Sequence, residues 1–425
     1  MIENTNLVPK RRFKEFQNAA TWEQRKLGDV TNYIVDNRGK NPSYYCSSGI
    51  PVIDNYMIKN NCYPNLEEAN RFIDDNLYEN FIRKYNEVDD VIITLVGNGI
   101  GNIALFPKQK SVIIQNTLGL RFKSNKKFKY YALQAKNREI VQLDRGMAQP
   151  SIRQDELLDI DLMIPSEEEQ SKIERFFFKL DSLITLHQRK FEKMKSLKSA
   201  YLSEMFPAEG EQEPKRRFAG FTNAWEQQTF SDVLEYSVSN NTLSRAGLNY
   251  EEGDVKNIHY GDILVKFDTI VDVNSDDVPF ITNGKPEDYK AQLLRNGDVI
   301  IADTAEDETT GKAIEVTGIT DNYAVSGLHT MVARPNIEFA PTYLGYYLNS
   351  PAYHNQLLKL MQGIKVLSLS KANVAKTKVD FPKDVAEQAK IGELFTNLDN
   401  LITLHQRKLE KLQNIKKAYL NEMFI

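Results

Sequence analysis

A duplicated helical segment constrains the fold of this chain more than any other feature of its sequence. Leu180–Phe206 (LDSLITLHQRKFEKMKSLKSAYLSEMF) and Leu398–Phe424 (LDNLITLHQRKLEKLQNIKKAYLNEMF) align without gaps and are identical at 19 of 27 positions. Chance does not produce such agreement, so the chain contains an internal repeat. One copy lies near the middle of the chain and the other at its end.

A second pair of matching blocks opens the two halves of the chain. PKRRF occurs at residues 9–13 and again at residues 214–218. Trp-Glu-Gln follows it in both halves, at residues 22–24 and 225–227. The duplication therefore covers both ends of each half.

The segments between these blocks have diverged. Residues 31–145 and 234–362 show little similarity to each other. A duplicated frame with different contents is typical of one scaffold that holds two different recognition surfaces.

The repeated segments belong to two long amphipathic helices. Residues 167–206 contain neither proline nor glycine, and Pro165 and Pro207 flank them, as prolines commonly flank helices. Apolar residues recur in both copies at alternating spacings of three and four, which is typical of a coiled coil. A helix of about 60 Å, at 1.5 Å per residue, must bury such a stripe against something. We predict that the two copies pair in antiparallel fashion, with the two globular domains at opposite ends. The alternative is that each helix packs on its own domain.

The regions that precede the helices indicate mixed strands, turns and short helices. Residues 90–96 and 102–106 predict two strands joined by a glycine-rich turn. Gly261–Lys266 and Gly297–Ala302 each begin with Gly-Asp and are predicted to continue as β-rich runs. The fold class is therefore α+β, with two similar domains whose curved sheets are mostly antiparallel, two long helices in an antiparallel coiled coil, and a pseudo-twofold repeat.

The repeat also predicts the domain boundaries. The first domain takes residues 1–165, of which 1–21 form an N-terminal extension, and the first spacer helix takes residues 166–209. The second domain takes residues 210–382, and the second spacer helix takes residues 383–425.

Cysteines and histidines provide little material for a metal site. Cys46 and Cys62 are the only two cysteines, too few for a disulfide framework or a cysteine-based zinc site. His187 and His405 occupy matched positions on the two helical stripes, where a partly buried pair in the helix seam is the expected arrangement and a shared metal ion is the alternative. We expect no bound metal.

Composition and charge limit the class of protein. With 41% hydrophobic and 26% charged residues, the chain can form ordinary hydrophobic cores. No stretch approaches the roughly 20 apolar residues needed to span a bilayer, and the N-terminus lacks the apolar region of a signal peptide, so we expect a cytoplasmic protein. The formal net charge of -4 and the pI of about 5.9 weigh against a free-standing DNA-binding protein, which is usually basic. A local basic stripe, or phosphate contacts made by partner subunits, would still permit DNA binding.

Motifs that would indicate catalysis are weak or absent in the sequence. Residues 41–44 (NPSY) resemble the tetrad of amino-methyltransferases but lack its second proline, and residues 97–99 are best interpreted as an ordinary turn. The sequence has no G-x4-G-K phosphate loop, no H-E-x-x-H and no G-x-S-x-G. We expect no catalytic residues and no cofactor bound by this chain.

Taken together, these blocks resemble the specificity subunit of type I restriction–modification systems. The resemblance rests on the openings Trp22–Asp29 and Trp225–Gln227 and extends over essentially the whole chain. The matching domain ends run from Gly146 to Pro165 and from Gly363 to Pro382, each followed by a long helix that begins with Glu168 and Gln170 or with Glu387 and Gln388. One departure is that the Gly-x-x-Gln ending at Gln149 becomes Gly-x-x-Val ending at Val366, so a polar role at that position does not carry over.

The resemblance implies a non-catalytic subunit that reads DNA. Each variable region would be a target-recognition domain that reads one half of a bipartite, asymmetric sequence. The helices would fix the gap between the halves and dock two methyltransferase subunits, which bind S-adenosylmethionine and methylate adenine. Two motor–nuclease restriction subunits would join them for cleavage that depends on ATP and Mg. The alternatives are a coiled-coil scaffold without DNA readout, and a methyltransferase or nuclease that acts alone.

Polar and basic side chains in the variable regions are the candidates for DNA contacts, because base edges are read mainly by hydrogen bonds in the major groove. In the first domain the candidates lie in a polar loop, at a hairpin tip and near the domain's end: Arg38, Lys40, Asn41, Tyr44, Asn98, Arg145, Gln149, Ser151 and Arg153. In the second domain they are Asn240, Asn241, Arg245, Lys266, Thr304, His329, Lys365 and Ser368.

Overall fold

The computed structural model describes residues 8–39, 41–59, 62–146 and 149–425. By its internal contacts the chain forms two compact units, Met1–Arg189 with His405–Ile425, and Lys190–Leu404. Each unit combines one globular domain with one end of each long helix.

The two long helices run from Glu167 to Glu204 and from Val385 to Met423. The first begins with three consecutive glutamates, whose charge suits the positive end of the helix dipole. The second contains Gly392, where a Cβ atom would overlap Thr342 Oγ1 and lie 3.0 Å from the Pro341 carbonyl oxygen. The helix therefore tolerates glycine here because its backbone lies directly against its own domain.

Within each unit the ends of the two helices run antiparallel. In the first unit, Phe176 packs edge-on against Tyr419 with ring centroids 5.0 Å apart, and His187 Nδ1 lies 2.9 Å from His405 Nδ1. Residue numbers rise along one helix as they fall along the other, which confirms the predicted antiparallel pairing. In the second unit, Lys198 Nζ lies 2.5 Å from Asp399 Oδ1.

The beginning of each helix packs on its own domain. Ile173 and Phe177 are buried in the same apolar cluster as Trp22. In the second unit, Ile391 and Phe395 are buried in the cluster that contains Trp225. Both packing alternatives considered for the helices therefore hold, each for a different segment.

The first domain is built on a four-stranded sheet. Its strand order is Thr31–Asp36, Thr117–Phe122, Val91–Thr94 and Ile103–Leu105, all antiparallel. A smaller sheet contains Phe72–Ile73, Ile50–Ile53 and Val112–Ile113, and Glu23–Lys26 pairs with Asp161–Ile164. The helices of this domain are Leu27–Val30, Asp75–Asn80, Lys126–Ala135, Asn137–Gln142 and Gln154–Leu158, with 3-10 turns at Lys14–Phe16, Asn55–Met57 and Leu66–Glu68.

The second domain repeats this plan with a five-stranded sheet. Its order is Leu234–Glu235, Thr330–Pro335, Val299–Ala302, Ala313–Thr317 and Ile270–Asp272. A second sheet has the order Leu248–Asn249, Phe280–Ile281, Val255–Ile258 and Tyr323–Ser326, and two further strand pairs join Trp225–Thr229 to Lys378–Pro382 and Thr304–Ala305 to Leu367–Ser368. The helices are Phe230–Val233, Tyr260–Val265, Tyr343–Leu348, Pro351–Leu358 and Lys371–Val374, with 3-10 turns at Arg245–Gly247 and Pro286–Gln292. Most strand pairs in both domains are antiparallel, as predicted.

One predicted strand is wrong. Gly261–Lys266 was expected to enter a β-rich run, but Tyr260–Val265 is a helix. His259 precedes it, and its Nδ1 accepts a hydrogen bond from the Gly261 amide at 3.2 Å. Asp262 adds a negative charge in the first turn. The Gly-Asp pair thus lies at a helix start, where an acidic residue is favourable, and not in a turn before a strand.

The duplicated PKRRF block joins each domain to both helix ends. Arg12 donates from Nε and Nη2 to the Glu169 carboxylate at 2.7 and 2.6 Å, and both side chains are buried. Its neighbour Arg11 binds Glu422 at the end of the second helix through side chain and backbone amide. The second unit has the same two contacts. Arg217 binds Glu387 at the start of the second helix, and Arg216 binds Glu204 at the end of the first helix.

A tryptophan and a phenylalanine complete the matched joints. Trp22 meets Phe424 edge-on with ring centroids 6.2 Å apart, and Trp225 meets Phe206 at 6.4 Å. The two phenylalanines are the final residues of the duplicated segment. In the described part of the chain, no helix has both the length and the apolar character to cross a membrane.

Candidate nucleic-acid interface

In the first domain, the turn after the central strand Val91–Thr94 lies against the segment that ends the domain. The Gly97 amide donates to the Pro150 carbonyl at 2.9 Å, and the Ile152 amide donates to the Leu95 carbonyl at 2.8 Å. Val96 and Ser151 form the β-bridge between these two bonds. The contact brings three of the predicted DNA-reading residues to one edge, namely Asn98, Gln149 and Ser151, which we call the first edge.

Asn55 belongs to this edge, although no motif in the sequence marks it as a candidate. Its Nδ2 donates to the Val96 carbonyl at 3.3 Å and to the Asn98 carbonyl at 3.2 Å. Beside it is a recess of about 650 Å³ that is rich in amide side chains and also holds Arg71. Its amide-bearing lining residues are Asn55, Asn70, Asn98 and Asn102. Asn55 was missed because it lies in a short 3-10 turn without a motif, and only the fold brings it to the hairpin.

The second domain presents an edge built in the same way. The Leu369 amide donates to the Asp303 carbonyl at 2.8 Å, and Thr304 pairs with Ser368. The Asp303 amide in turn donates to the His329 carbonyl at 3.1 Å. Thr304, Ser368 and His329 therefore lie together, and we call them the second edge.

The second edge contains a glycine turn, residues 363–366, and the first edge shares its glycine at Gly146. A Cβ atom at Gly146 would overlap the carbonyl oxygen of Gln149, and one at Gly363 would overlap that of Val366. Both positions thus require glycine, whereas the third residue after each glycine contributes only its backbone carbonyl oxygen. Gln149 and Val366 are both exposed, which explains why this position could diverge while the glycine is shared.

Comparison with known proteins identifies the family. The family described as "Type I restriction modification DNA specificity domain" matches residues 20–196 and again residues 223–414. The chain belongs to this family. A relative, the type I restriction enzyme MjaVIII specificity subunit of Methanocaldococcus jannaschii, is 21% identical over 419 residues, which are 94% of this chain and 91% of the relative. The fold is similar to the crystal structure of the type I restriction–modification system S subunit from M. genitalium, with a TM-score of 0.65, 15% identity, and coverage of 98% and 99% of the two chains. These findings confirm the resemblance: the chain is a DNA specificity subunit.

Arg38, in the polar loop of this specificity subunit, is already held by other side chains. It donates to both oxygens of Asp36 at 2.9 Å and to Gln154 Oε1 at 2.9 Å. The hydrogen bond from Arg38 lowers the pKa of the Asp36 carboxyl below its ordinary value. Arg38 thereby connects the polar loop to the helix that Arg153 precedes.

Two other predicted residues of that loop, Asn41 and Tyr44, bind partners different from those of Arg38. Asn41 is exposed and accepts a hydrogen bond from Gln115, whose side chain also binds Arg71 beside the recess. The Tyr44 hydroxyl donates to Asp74 at 2.8 Å, and Asp74 is not part of the first edge. Lys40 lies outside the described residues.

Arg145 and Arg153 are two exposed cations near the first edge. Arg145 pairs with Glu156, and its backbone amide donates to the Ser151 carbonyl at 3.1 Å. Arg153 pairs with Asp155 at 2.7 Å. The Arg153–Asp155 pair is exposed on both sides, and such ion pairs are worth only about 0–1 kcal/mol, so a phosphate can replace the Asp155 carboxylate at little cost.

Asn241 of the second domain was predicted to contact DNA, but its side chain is buried within the domain. Its Nδ2 donates to the Ser326 carbonyl at 3.0 Å while its Oδ1 accepts from the Leu243 amide at 3.0 Å. Asn240 is half-buried and donates to the Gly327 carbonyl at 3.3 Å. Asn241 therefore supports the loop and is removed from the set of candidate base contacts.

Arg245 and Lys266 lie on the helix side of the second edge. Arg245 forms a bidentate ion pair with Asp262 at 2.9 and 3.0 Å, and Lys266 binds Asp277 at 3.1 Å. Both cations also contact the Tyr250 side chain. Lys365, by contrast, is exposed in the glycine turn itself.

The charge at the second edge differs from that at the first. The segment that follows Thr304 carries Glu306, Asp307 and Glu308, all exposed, whereas the matching segment 95–101 of the first domain is uncharged. Asp307 binds Thr309 within its own loop. Carboxylates oppose phosphate but accept hydrogen bonds from base amino groups such as cytosine N4. The second edge is therefore better suited to base edges than to the DNA backbone.

Proposed function

We propose that this specificity subunit reads a bipartite, asymmetric DNA sequence, with one half read at each edge. The observation that carries the proposal is the pair of matched edges with different side chains. The frame places Asn98, Gln149 and Ser151 in the first domain, and Thr304, Ser368 and His329 at the corresponding place in the second. One geometry with two sets of hydrogen-bonding groups is what an asymmetric target requires.

The remaining predicted residues have supporting roles in this proposal. Exposed cations near the edges contact phosphates and set the register, because phosphate contacts position a protein without reading sequence. The proposed phosphate or loop contacts are Arg38, Lys40, Asn41, Tyr44, Arg145, Arg153, Asn240, Arg245, Lys266 and Lys365.

We further propose that two methyltransferase subunits dock on the long helices. Leu183 and Leu186 are exposed on the first helix, and their repeat partners Leu401 and Leu404 are exposed on the second. Exposed apolar side chains at matched places mark protein contacts and favour two copies of one partner. Those subunits would bind S-adenosylmethionine, and two restriction subunits using ATP and Mg would complete the nuclease. This chain would supply no catalytic group.

Partner subunits would also explain how a chain with an acidic net charge takes part in DNA binding. Affinity for DNA depends largely on phosphate neutralisation, which any subunit of an encircling complex can provide. The chain's net charge of -4 then leaves specificity to its edges and affinity to the assembly.

The first experiment is a methylation map. The chain is co-expressed with its methyltransferase subunit in a methylation-free host, and N6-methyladenine is located by sequencing. A single gapped, asymmetric motif methylated on both strands is expected. An ungapped motif would mean that only one domain reads DNA. An assembled complex without methylation would support a coiled-coil scaffold.

Edge variants then assign the halves. Asn98→Ala with Gln149→Ala should relax bases in one half only, and Thr304→Ala with Ser368→Ala should relax bases in the other. Each true base contact should cost about 1–3 kcal/mol. Asn241→Ala serves as the buried control, because it should lower stability without relaxing any single base.

A further inference from the structure

Ile364 is a fully exposed aliphatic side chain at the second edge, and Val366 of the same turn is 51% exposed. Its relative exposure is 100%, the highest among the exposed large hydrophobic residues of the described chain. It lies in the glycine turn between Gly363 and Lys365. An aliphatic side chain in this position contributes nothing to the core of the domain.

The turn that carries Ile364 is closed on both sides. The Gln362 amide donates to the Ser368 carbonyl at 3.0 Å, and the Ser368 amide donates back to the Gln362 carbonyl at 2.8 Å. Gly363 adopts a φ of 126°, which a residue with a side chain rarely adopts. The turn that carries Ile364 therefore closes at Ser368, the residue that pairs with Thr304.

The surroundings favour a base edge over a phosphate as the partner of Ile364. The isoleucine side chain offers no hydrogen bond to a phosphate, so any phosphate contact made by this turn falls to its neighbour Lys365. The exposed carboxylates Glu306 and Glu308 further oppose a phosphate at this edge. In the major groove, the C5-methyl group of thymine is the apolar feature that a protein can recognise by contact. We propose that Ile364 reads the methyl group of a thymine in the second half-site. This inference rests on the proposed function of the second edge.

The test removes that methyl group from the DNA and its partner from the protein. The methyltransferase complex is assembled with wild-type chain or with Ile364→Ala, and binding is measured on probes that carry the mapped motif. Each thymine of the second half-site is replaced in turn by deoxyuridine, which keeps every hydrogen bond of thymine. Ile337→Ala is the matched control, because Ile337 is an exposed isoleucine of the same domain. It follows the C-terminal end of strand Thr330–Pro335, whereas His329 of the second edge precedes the N-terminal end.

For the wild-type complex, deoxyuridine at one position should weaken binding about fourfold, the value of one buried methyl group. Ile364→Ala should bind the thymine and deoxyuridine probes equally, whereas Ile337→Ala should behave as wild type. The inference would be overturned if Ile364→Ala bound every probe as tightly as the wild-type complex does. So would an equal loss on all probes and on unrelated DNA, which would indicate a contact with a partner subunit. Failure of the proposed function itself would be distinct, because the wild-type complex would then show no second half-site.

Discussion

Removal of Lys416 should destabilise the first unit through a buried carboxylate. Lys416 Nζ lies 2.7 Å from Asp181 Oδ1, and the two side chains are only 12% and 9% exposed. Asp181 Oδ2 also accepts hydrogen bonds from the Tyr131 hydroxyl at 2.8 Å and from Cys62 Sγ at 3.0 Å. Burial raises the pKa of the Cys62 thiol to about 12, so the thiol stays protonated and remains a donor.

The magnitude follows from the charge that remains after the substitution. Breaking a buried ion pair by removing one partner typically costs about 3–5 kcal/mol, because the other charge stays buried without compensation. Two donors still face Asp181 in Lys416→Met, so the cost should lie at the low end, about 3 kcal/mol. For a unit of this size, each kcal/mol lost from the free energy of unfolding lowers the melting temperature by about 2–4 °C. Lys416→Met should therefore lower the melting temperature of the first unit by about 6–12 °C.

The second unit provides a matched comparison. Lys198 binds Asp399, which also accepts from the Tyr346 hydroxyl at 2.9 Å, but these charged side chains are 19% and 20% exposed. Because water screens this pair better, Lys198→Met should cost less, about 1–2 kcal/mol. Lys411→Met, at an exposed position, should change stability by no more than about 0.5 kcal/mol.

Calorimetry of the full chain measures the melting temperature of each unit's transition. A urea titration of the full chain measures the free energy of unfolding. A fourth variant, Asp181→Asn with Lys416→Met, should recover most of the loss because it removes the buried charge. The reasoning is refuted if Lys416→Met unfolds within about 0.5 kcal/mol of wild type. It is also refuted if Lys198→Met costs more than Lys416→Met, or if the double variant is less stable than the single one.

Three further predictions test other parts of the structure. Burial raises the pKa of Glu315 to about 7 from an ordinary 4.5, so its contribution to stability is complete below about 4.5 and is lost as the pH rises through about 7. The melting temperature of Glu315→Gln relative to wild type should therefore rise between pH 5 and pH 8, and a constant difference would contradict this. Arg12→Met leaves the buried Glu169 carboxylate without its cation and should lower the free energy of unfolding by about 3–5 kcal/mol in a urea titration, an expectation that a change below 1 kcal/mol would exclude. Leu186→Lys should leave one methyltransferase subunit bound, and Leu186→Lys with Leu404→Lys should leave none, as measured by light scattering of the purified complex; unchanged stoichiometry would place the docking surface elsewhere.

The helix pairing could be predicted from the sequence because its signal is long. A stripe with alternating spacings of three and four, repeated in two copies, leaves few ways to bury the apolar residues. The helix Tyr260–Val265 could not be predicted in the same way, because a short apolar run suits a strand and a helix equally. What decides it is the His259 side chain at its start and the Arg245–Asp262 ion pair, and that pair depends on the fold.

The candidate site shows the same limit at the level of side chains. Sequence identified Thr304, Ser368 and His329 by type, and the fold brings them together. Sequence could not show that Asn241 is buried among backbone groups, because an asparagine in a polar loop looks the same whether its amide is occupied or not. It also could not select Asn55, whose place at the first edge depends on a contact across the domain.

The division between shared and divergent residues follows from what each must do. Joints between a domain and the helices use buried ion pairs, such as Arg12–Glu169 and Arg217–Glu387, in which the loss of either partner leaves a buried charge. The edges are instead held by backbone hydrogen bonds and by a glycine, which place no demand on the side chains that project from them. A substitution at an edge can therefore alter the readout without loosening the frame, whereas a substitution at a joint loosens the frame without altering the readout. This separation explains how two copies of one half could diverge in the middle and remain the same at their ends.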